Sequence, residues 1–298
     1  MIRSILGVIR APFLLLPPVI VLLGLSAAVY DGRAVAWHNL VLILVAAVMA
    51  HASVNALNEY LDFRNGLDAM TQRTPFSGGS GTLVHNPELA GMTLGIATFS
   101  LLVTMIIGIY FLTSTGLRLL PLGLLGIAII VAYTPWITRS SMLSLISPGV
   151  AFGPLMVVGT DLILTGTYSA TSVLVSLVPF FLVNNLLLLN QFPDRDADTR
   201  VGRRNMVIVL GRKRSAILYG LFNVLAFVVL GAGVLFNLLP VPALIAFVMA
   251  PVAWRAFHIA LRNAEDVERL IPAMGLNVLL NLLTPVLIAV ALLFAHIY

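Results

Sequence analysis

The chain has 298 residues, of which 60% are hydrophobic and only 10% charged. A soluble domain carries about 25% charged residues, so this composition excludes a soluble globular fold and indicates an integral membrane protein. Cysteine is absent, which removes disulfides and thiolate catalysis. The formal net charge of +5 would suggest a nucleic-acid partner only if placement of the basic residues supported it, and it does not.

Apolar runs of the length that crosses a bilayer, about 17–25 residues, lie near 12–30, 36–58, 89–113, 117–137, 142–164, 170–190, 214–238, 240–257 and 273–296. No small-residue cleavage site stands out near the N-terminus, so the first run reads as a membrane span. The expectation is an all-α bundle of about nine transmembrane helices forming a single domain over residues 1–298. With the N-terminus in the cytoplasm, all but Arg33 and Arg118 of the 17 Lys and Arg residues fall on one side. The positive-inside rule makes that side cytoplasmic, and an odd number of spans puts the C-terminus outside. The basic excess is therefore topological, and nucleic acid is not an expected partner.

The second span ends in a polar stripe. His51, Asn55, Asn58 and Asp62 follow i, i+4, i+7 and i+11, one helical face. Interhelical hydrogen bonding is the ordinary role of such residues in membranes, and His51 is read that way. Asn58 and Asp62 are read as functional, because the acid has no basic partner one turn away on its face. Asn65-Gly66 is a helix stop, which lets the chain fold back and return Asp68 to the same place. The sixth span ends in a second acidic cluster. Asp194 and Asp198 are four apart, with Asn190 one turn earlier on the same face. Pro193 is expected to kink or break the helix, and Asp196 to point away into solvent or an ion pair.

Half of the 12 acidic residues (Glu59, Asp62, Asp68, Asp194, Asp196 and Asp198) sit in these two windows, on the cytoplasmic side. Their similar positions, after the second and sixth spans, suggest a duplicated four-helix unit plus one extra helix. Mg²⁺ is bound through few carboxylates plus substrate phosphates. The reading is that the two clusters face each other and hold Mg²⁺ through Asp62, Asp68, Asp194 and Asp198, supported by Asn58 and Asn190, and that the metal holds a diphosphate. Arg64, Arg73, Arg195, Arg200, Arg203 and Arg204 lie near the acids, and arginine forks match phosphate oxygens. Ser77-Gly78-Gly79-Ser80-Gly81 could offer backbone N–H groups to an anion or act as a flexible hinge.

Asn58…Asp62…Asp68 and Asn190…Asp194…Asp198, with Gly202-Arg203-Arg204 and Val209-Leu210-Gly211 after them, resemble the two aspartate-rich motifs of the UbiA superfamily of intramembrane prenyltransferases. The resemblance covers most of the chain. The six-residue step from Asp62 to Asp68, the residues 75–81, Tyr133-Thr134-Pro135 and the segment 152–160 are similar to the branch containing 1,4-dihydroxy-2-naphthoate prenyltransferases. Glu59, Pro193 and Asn205 depart from the usual motif, as does the short segment Thr138-Arg139-Ser140-Ser141-Met142.

The resemblance implies a nine-helix bundle that transfers an isoprenoid from its diphosphate to an acceptor with Mg²⁺, in menaquinone synthesis if the acceptor is the naphthoate. It implies catalytic roles for Asp62, Asp68, Asp194, Asp198 and Tyr133. Diphosphate binding falls to Asn58, Arg64, Arg73, Ser77, Asn190, Arg203 and Arg204, and acceptor binding to Arg139 and Phe152. Tyr133, Phe152 or Phe192 could face an allylic cation. The partners are then a prenyl diphosphate, an aromatic acceptor and the lipid bilayer of the inner membrane, with the site facing the cytoplasm and no protein partner expected. Other acceptors (a hydroxybenzoate, a chlorin, haem, a glyceryl phosphate), a terpene cyclase and a cation transporter are the alternatives. The transporter is disfavoured because the acids lie at one membrane face rather than at mid-depth. Asn277, Asn281 and Thr284 on the last span read as helix packing.

Overall fold

The computed structural model describes residues 2–297; Met1 and Tyr298, and with the latter the expected external C-terminal residue, lie outside the described residues. Among the described residues there is no strand, and eight helices are long and apolar enough to cross a membrane. A short helix, Ile2–Val8, comes first. We number the long helices together with one shorter apolar helix in chain order: α1 (Ala11–Tyr30), α2 (Trp37–Arg64), α3 (Pro87–Thr115), α4 (Leu117–Ala132), α5 (Ser141–Thr165), α6 (Ala170–Arg200), α7 (Arg212–Leu235), α8 (Val241–Arg262) and α9 (Val267–Ile297).

The nine segments coincide in position with the nine apolar runs, and two of them differ in length for identifiable reasons. The shorter helix, α4, stops at Ala132 rather than near residue 137. Pro135 disfavours helical backbone in the residue before it, and the chain turns through Tyr133 and Thr134 instead. α6 does the opposite and runs through Pro193 to Arg200. The expected break is absent. A proline inside a helix costs about 3 kcal/mol, and the burial of Leu188, Leu189 and Phe192 around it offsets that cost.

The helices form a closed ring in which α9 packs on α1, and α6 is the central member, packed on α5, α7 and α9. The approach of α5 to α6 needs glycine. A Cβ on Gly149 would lie 2.2 Å from the Phe180 carbonyl oxygen, and one on Gly153 would lie 2.4 Å from that of Ser176. This small-xxx-small pairing is how helices pack tightly without a hydrophobic drive from water. The Gly149 amide donates to Asn184 Oδ1 at 2.6 Å. Polar side chains join the other helices. Asn281 donates to the Leu182 carbonyl at 3.0 Å, Asn185 to the Tyr219 carbonyl at 2.9 Å, and the Tyr219 hydroxyl to Asn277 Oδ1 at 3.3 Å. The stripe on α9 is therefore packing. At the opposite end from the acid clusters, Arg33 ties α1 to α5 through Asp161 and donates to Thr165 Oγ1 at 2.9 Å.

One sector of the ring is loose. Between α2, α3, α4 and α5 lies an apolar chamber of about 430 Å³, whose wall has His51, Thr104 and Thr160 as its polar side chains.

Candidate active site

The ends of α2, α4 and α6, with the loop after α2, enclose a polar cavity of about 90 Å³. Both acid clusters reach it. Asp62 comes from the last turn of α2. The helix ends at Arg64, and Gly66 takes a left-handed φ of 79°, so the chain reverses into the short helix Leu67–Met70. That reversal brings Asp68 back to the cavity, buried. Asn190, Asp194 and Asp198 face it together from the continuous last turns of α6. Asp196, on the other face, is exposed and lies 3.8 Å from Arg195 and from Arg212.

Arg203 joins the two clusters. Its guanidinium donates to Asp62 and, at 3.1 Å, to Asp198 Oδ1. Asn205 caps the helix Met206–Leu210 with its side-chain oxygen, which accepts from the Ile208 amide, and donates its NH₂ to Asp198 Oδ2 at 2.8 Å. A departure from the usual motif thus performs two jobs. Burial alone would lower the proton affinity of Arg203, but the carboxylates of Asp62 and Asp198 more than offset this, so its pKa is raised above the ordinary value. Asp68 is pushed up to about 7, first by burial and then by the negative charges of Glu59 and Asp62.

The glycine loop does not wait for a substrate anion. The Ser80 amide donates to the Glu59 carboxylate at 3.0 and 3.2 Å, and the Ser80 hydroxyl donates to it as well. Glu59 is fully buried, with Arg10 at 3.8 Å. The acid that departs from the usual motif therefore anchors the loop. Gly79, with φ of 72°, lies over Asp68: a Cβ there would sit 2.7 Å from Asp68 Oδ1. Ser77 is buried and lines the cavity, its Oγ 2.9 Å from Thr74 Oγ1.

Other expected residues are not brought to the cavity. Arg64, the last residue of α2, is exposed and lies over the Tyr60 ring at 6.0 Å. Arg73 is exposed and contacts His85 Nε2 at 3.3 Å. Arg204 and Arg139 are exposed as well. The turn that carries Arg203 inward ties the Arg204 amide to the Thr138 carbonyl at 2.9 Å, which leaves the Arg204 side chain outside. Of the three aromatic candidates, Tyr133 lines the polar cavity, Phe152 lines the apolar chamber, and Phe192 is in the core.

Arg10 is a residue that sequence reasoning missed. It precedes α1 with a left-handed φ of 51°, lines the cavity, and donates to Asn58 Oδ1 at 3.3 Å. Its position before a span reads as topology, and no local pattern shows that it turns inward. Gln191 and Thr138 also line the cavity.

Several features suit a hard cation. Asp68 Oδ2, Asp194 Oδ1 and Gln191 Oε1 are buried acceptors without a hydrogen-bond partner among the described residues, and such orphaned oxygens are costly unless a ligand satisfies them. Among the described residues no group of three acids converges as a ready-made metal cage. Mg²⁺ is bound through few protein carboxylates and completes its shell with water and phosphate oxygens, so the four aspartates need not converge on one point.

The residues 15–274 match the UbiA prenyltransferase family, and the chain belongs to it. It is 27% identical, over 57% of its own length and 54% of the relative's, to a 1,4-dihydroxy-2-naphthoate octaprenyltransferase of Bacillus subtilis (strain 168). The matched part is thus about half of that protein. Among solved structures, it resembles the apo form of a UbiA homologue from Aeropyrum pernix K1, with a TM-score of 0.72 at 17% identity, covering 95% of this chain and 98% of the other. It also resembles a UbiA homologue from Archaeoglobus fulgidus bound to DMAPP and Mg²⁺, with a TM-score of 0.61 at 14% identity, covering 96% and 99%. At such identities these likenesses establish the fold.

Proposed function

We propose that this chain transfers an isoprenyl group from a prenyl diphosphate to an aromatic acceptor, 1,4-dihydroxy-2-naphthoate, at a site on the cytoplasmic face of the inner membrane. The observation that carries the reading is the stacking of two unlike cavities along the same helices. On α2 the apolar chamber ends at Val54 and the polar cavity begins at Asn58; at the end of α4 they meet between Ile130 and Tyr133, the residue after the helix. Four residues along a helix is about 6 Å. A molecule with a diphosphate head and a hydrocarbon tail matches that order of surfaces. The match to half of a naphthoate octaprenyltransferase supports the choice of acceptor.

Asp62, Asp68, Asp194 and Asp198 would hold Mg²⁺, with Asn58 and Asn190 beside them. When bound, the metal supplies the charge that draws electrons into the departing diphosphate. Arg203 and Arg10 line the cavity, held there by Asp62 and Asp198 and by Asn58, and a phosphate oxygen entering it would share these guanidinium donors. As the C–O bond lengthens, its electron pair leaves with the diphosphate and the allylic carbon becomes cation-like. Tyr133 presents an aromatic ring at the junction of the two cavities, where it can stabilise that carbon. An electron-rich carbon of the acceptor ring then forms the new C–C bond. That carbon gives up the group it carried, as H⁺ or, if it bears the carboxylate, as CO₂, so that the C–H or C–C bond pair returns to the ring and aromaticity is restored. The exposed Arg64, Arg73, Arg139 and Arg204 have no part in this scheme.

The test is an assay of purified protein with Mg²⁺, a series of prenyl diphosphates, and 1,4-dihydroxy-2-naphthoate beside 4-hydroxybenzoate. Prenylation of the naphthoate is expected. If the hydroxybenzoate is prenylated and the naphthoate is not, the acceptor is wrong; if neither reacts with any of the prenyl diphosphates, transfer to a hydroxylated aromatic acid is wrong.

A further inference from the structure

Nδ1 of His51 is buried and has no hydrogen-bond partner among the described residues. Its ring lies against Phe152, centroids 5.0 Å apart and planes at 81°. Both rings line the apolar chamber, where the other polar side chains are the hydroxyls of Thr104 and Thr160. The Thr104 hydroxyl already donates to the Ser100 carbonyl at 2.9 Å. The interhelical hydrogen bond expected of His51 is not formed. A buried polar group left unpaired costs about 1–3 kcal/mol, so an imidazole kept there needs a partner that arrives from outside the chain.

Its place in the chamber indicates the partner. His51, Asn58 and Asp62 lie on one face of α2, and the seven residues from His51 to Asn58 span about 10 Å. A diphosphate held at Asn58 and Asp62 puts the reacting carbon next to the junction of the cavities. The chamber would then be shared: the hydrocarbon tail runs along its α3 and α4 wall, and a fused two-ring acceptor lying between the reacting carbon and His51 would bring its far hydroxyl to the imidazole, with its faces against Phe152. Arg139, the expected polar contact for the acceptor, lies outside both cavities.

We propose that His51 is a specificity-determining residue that hydrogen-bonds a ring hydroxyl of the acceptor inside the apolar chamber. The inference rests on the prenyl-transfer reading. A site that pairs with a substrate hydroxyl discriminates against analogues lacking it, because the buried group is then left unpaired.

The experiment compares wild-type protein with His51→Phe, which keeps a flat ring against Phe152, and His51→Gln, which keeps a donor and an acceptor. Steady-state kinetics would be measured for both substrates, with 1,4-dihydroxy-2-naphthoate and 1-hydroxy-2-naphthoate as acceptors. Equilibrium binding of each naphthoate to the protein without diphosphate gives a second readout. His51→Phe should raise KM and Kd for the dihydroxy compound about tenfold, the loss of one net hydrogen bond, and leave KM for the prenyl diphosphate unchanged. Preference for the dihydroxy compound should vanish in His51→Phe and return in part in His51→Gln. An unchanged acceptor KM and Kd in His51→Phe overturns the inference while leaving prenyl transfer standing. So does a parallel rise in KM for both substrates. A wild-type protein that prenylates neither naphthoate overturns the underlying reading and this inference with it.

Discussion

Replacing Arg203 by methionine removes a side chain that joins both acid clusters. Arg203 is 14% exposed, and its partners Asp62 and Asp198 are 5% and 4% exposed, so all three groups are desolvated. Truncating one partner of such a buried network leaves unpaired carboxylates and costs about 3–5 kcal/mol. For a chain of this size about 2 °C of Tm accompanies each kcal/mol, so a fall of about 6–10 °C follows. The assay is thermal unfolding in detergent, without divalent metal, of wild type, Arg203→Met, Asp62→Asn and the double variant. Asp62→Asn removes one of the charges that Arg203 neutralises, so the double variant should be more stable than the sum of the single changes implies. Mg²⁺ should restore part of the loss in Arg203→Met, because the metal supplies the missing positive charge. An unchanged Tm, or additive single changes within about 0.5 kcal/mol, would refute the bridging role assigned to Arg203.

Five other outcomes are expected. Asp62→Ala and Asp194→Ala should abolish prenyl transfer while Asp196→Ala, whose carboxylate faces solvent, changes it little; full activity in EDTA would contradict the metal assignment. Gly79→Ala forces a left-handed φ and a contact at 2.7 Å with Asp68, whereas Gly66→Ala meets nothing within 4 Å; the first should lose activity and at least 2 kcal/mol of stability, and the second about 1 kcal/mol. Asp68 holds its proton up to about pH 7 in the metal-free protein, against about 3.9 in an unfolded chain. The native state therefore binds more protons between these values, so metal-free stability should fall as pH rises from about 4 to 7. A metal must displace that proton, so Mg²⁺ affinity measured by calorimetry should strengthen as pH rises through about 7. Reporter fusions after Arg214 and Arg269 should read cytoplasmic and one after Tyr298 external, and a cytoplasmic reading at Tyr298 would overturn the orientation.

The sequence alone determined the membrane class, the positions of nine apolar segments and the two acid clusters. A bilayer imposes a length on every span, and the helical period assigns each side chain a face. These constraints are local and can be counted. They also put Asp196 on the solvent face and returned Asp68 through Asn65-Gly66. The tertiary structure decided what meets across the ring. Arg10 reaches Asn58 from 48 residues away, and Arg203 reaches Asp62 from 141 residues away. Nothing near Arg203 in sequence distinguishes it from Arg204, since the choice depends on how one turn is tied to Thr138. The same holds for Glu59, whose partners lie in a loop reversed by glycines at 78, 79 and 81. It holds again for His51, whose unpaired ring becomes visible only when α3, α4 and α5 close the chamber around it. A spacing rule can place a polar residue on a face, but whether a partner waits opposite depends on contacts between elements far apart in the chain.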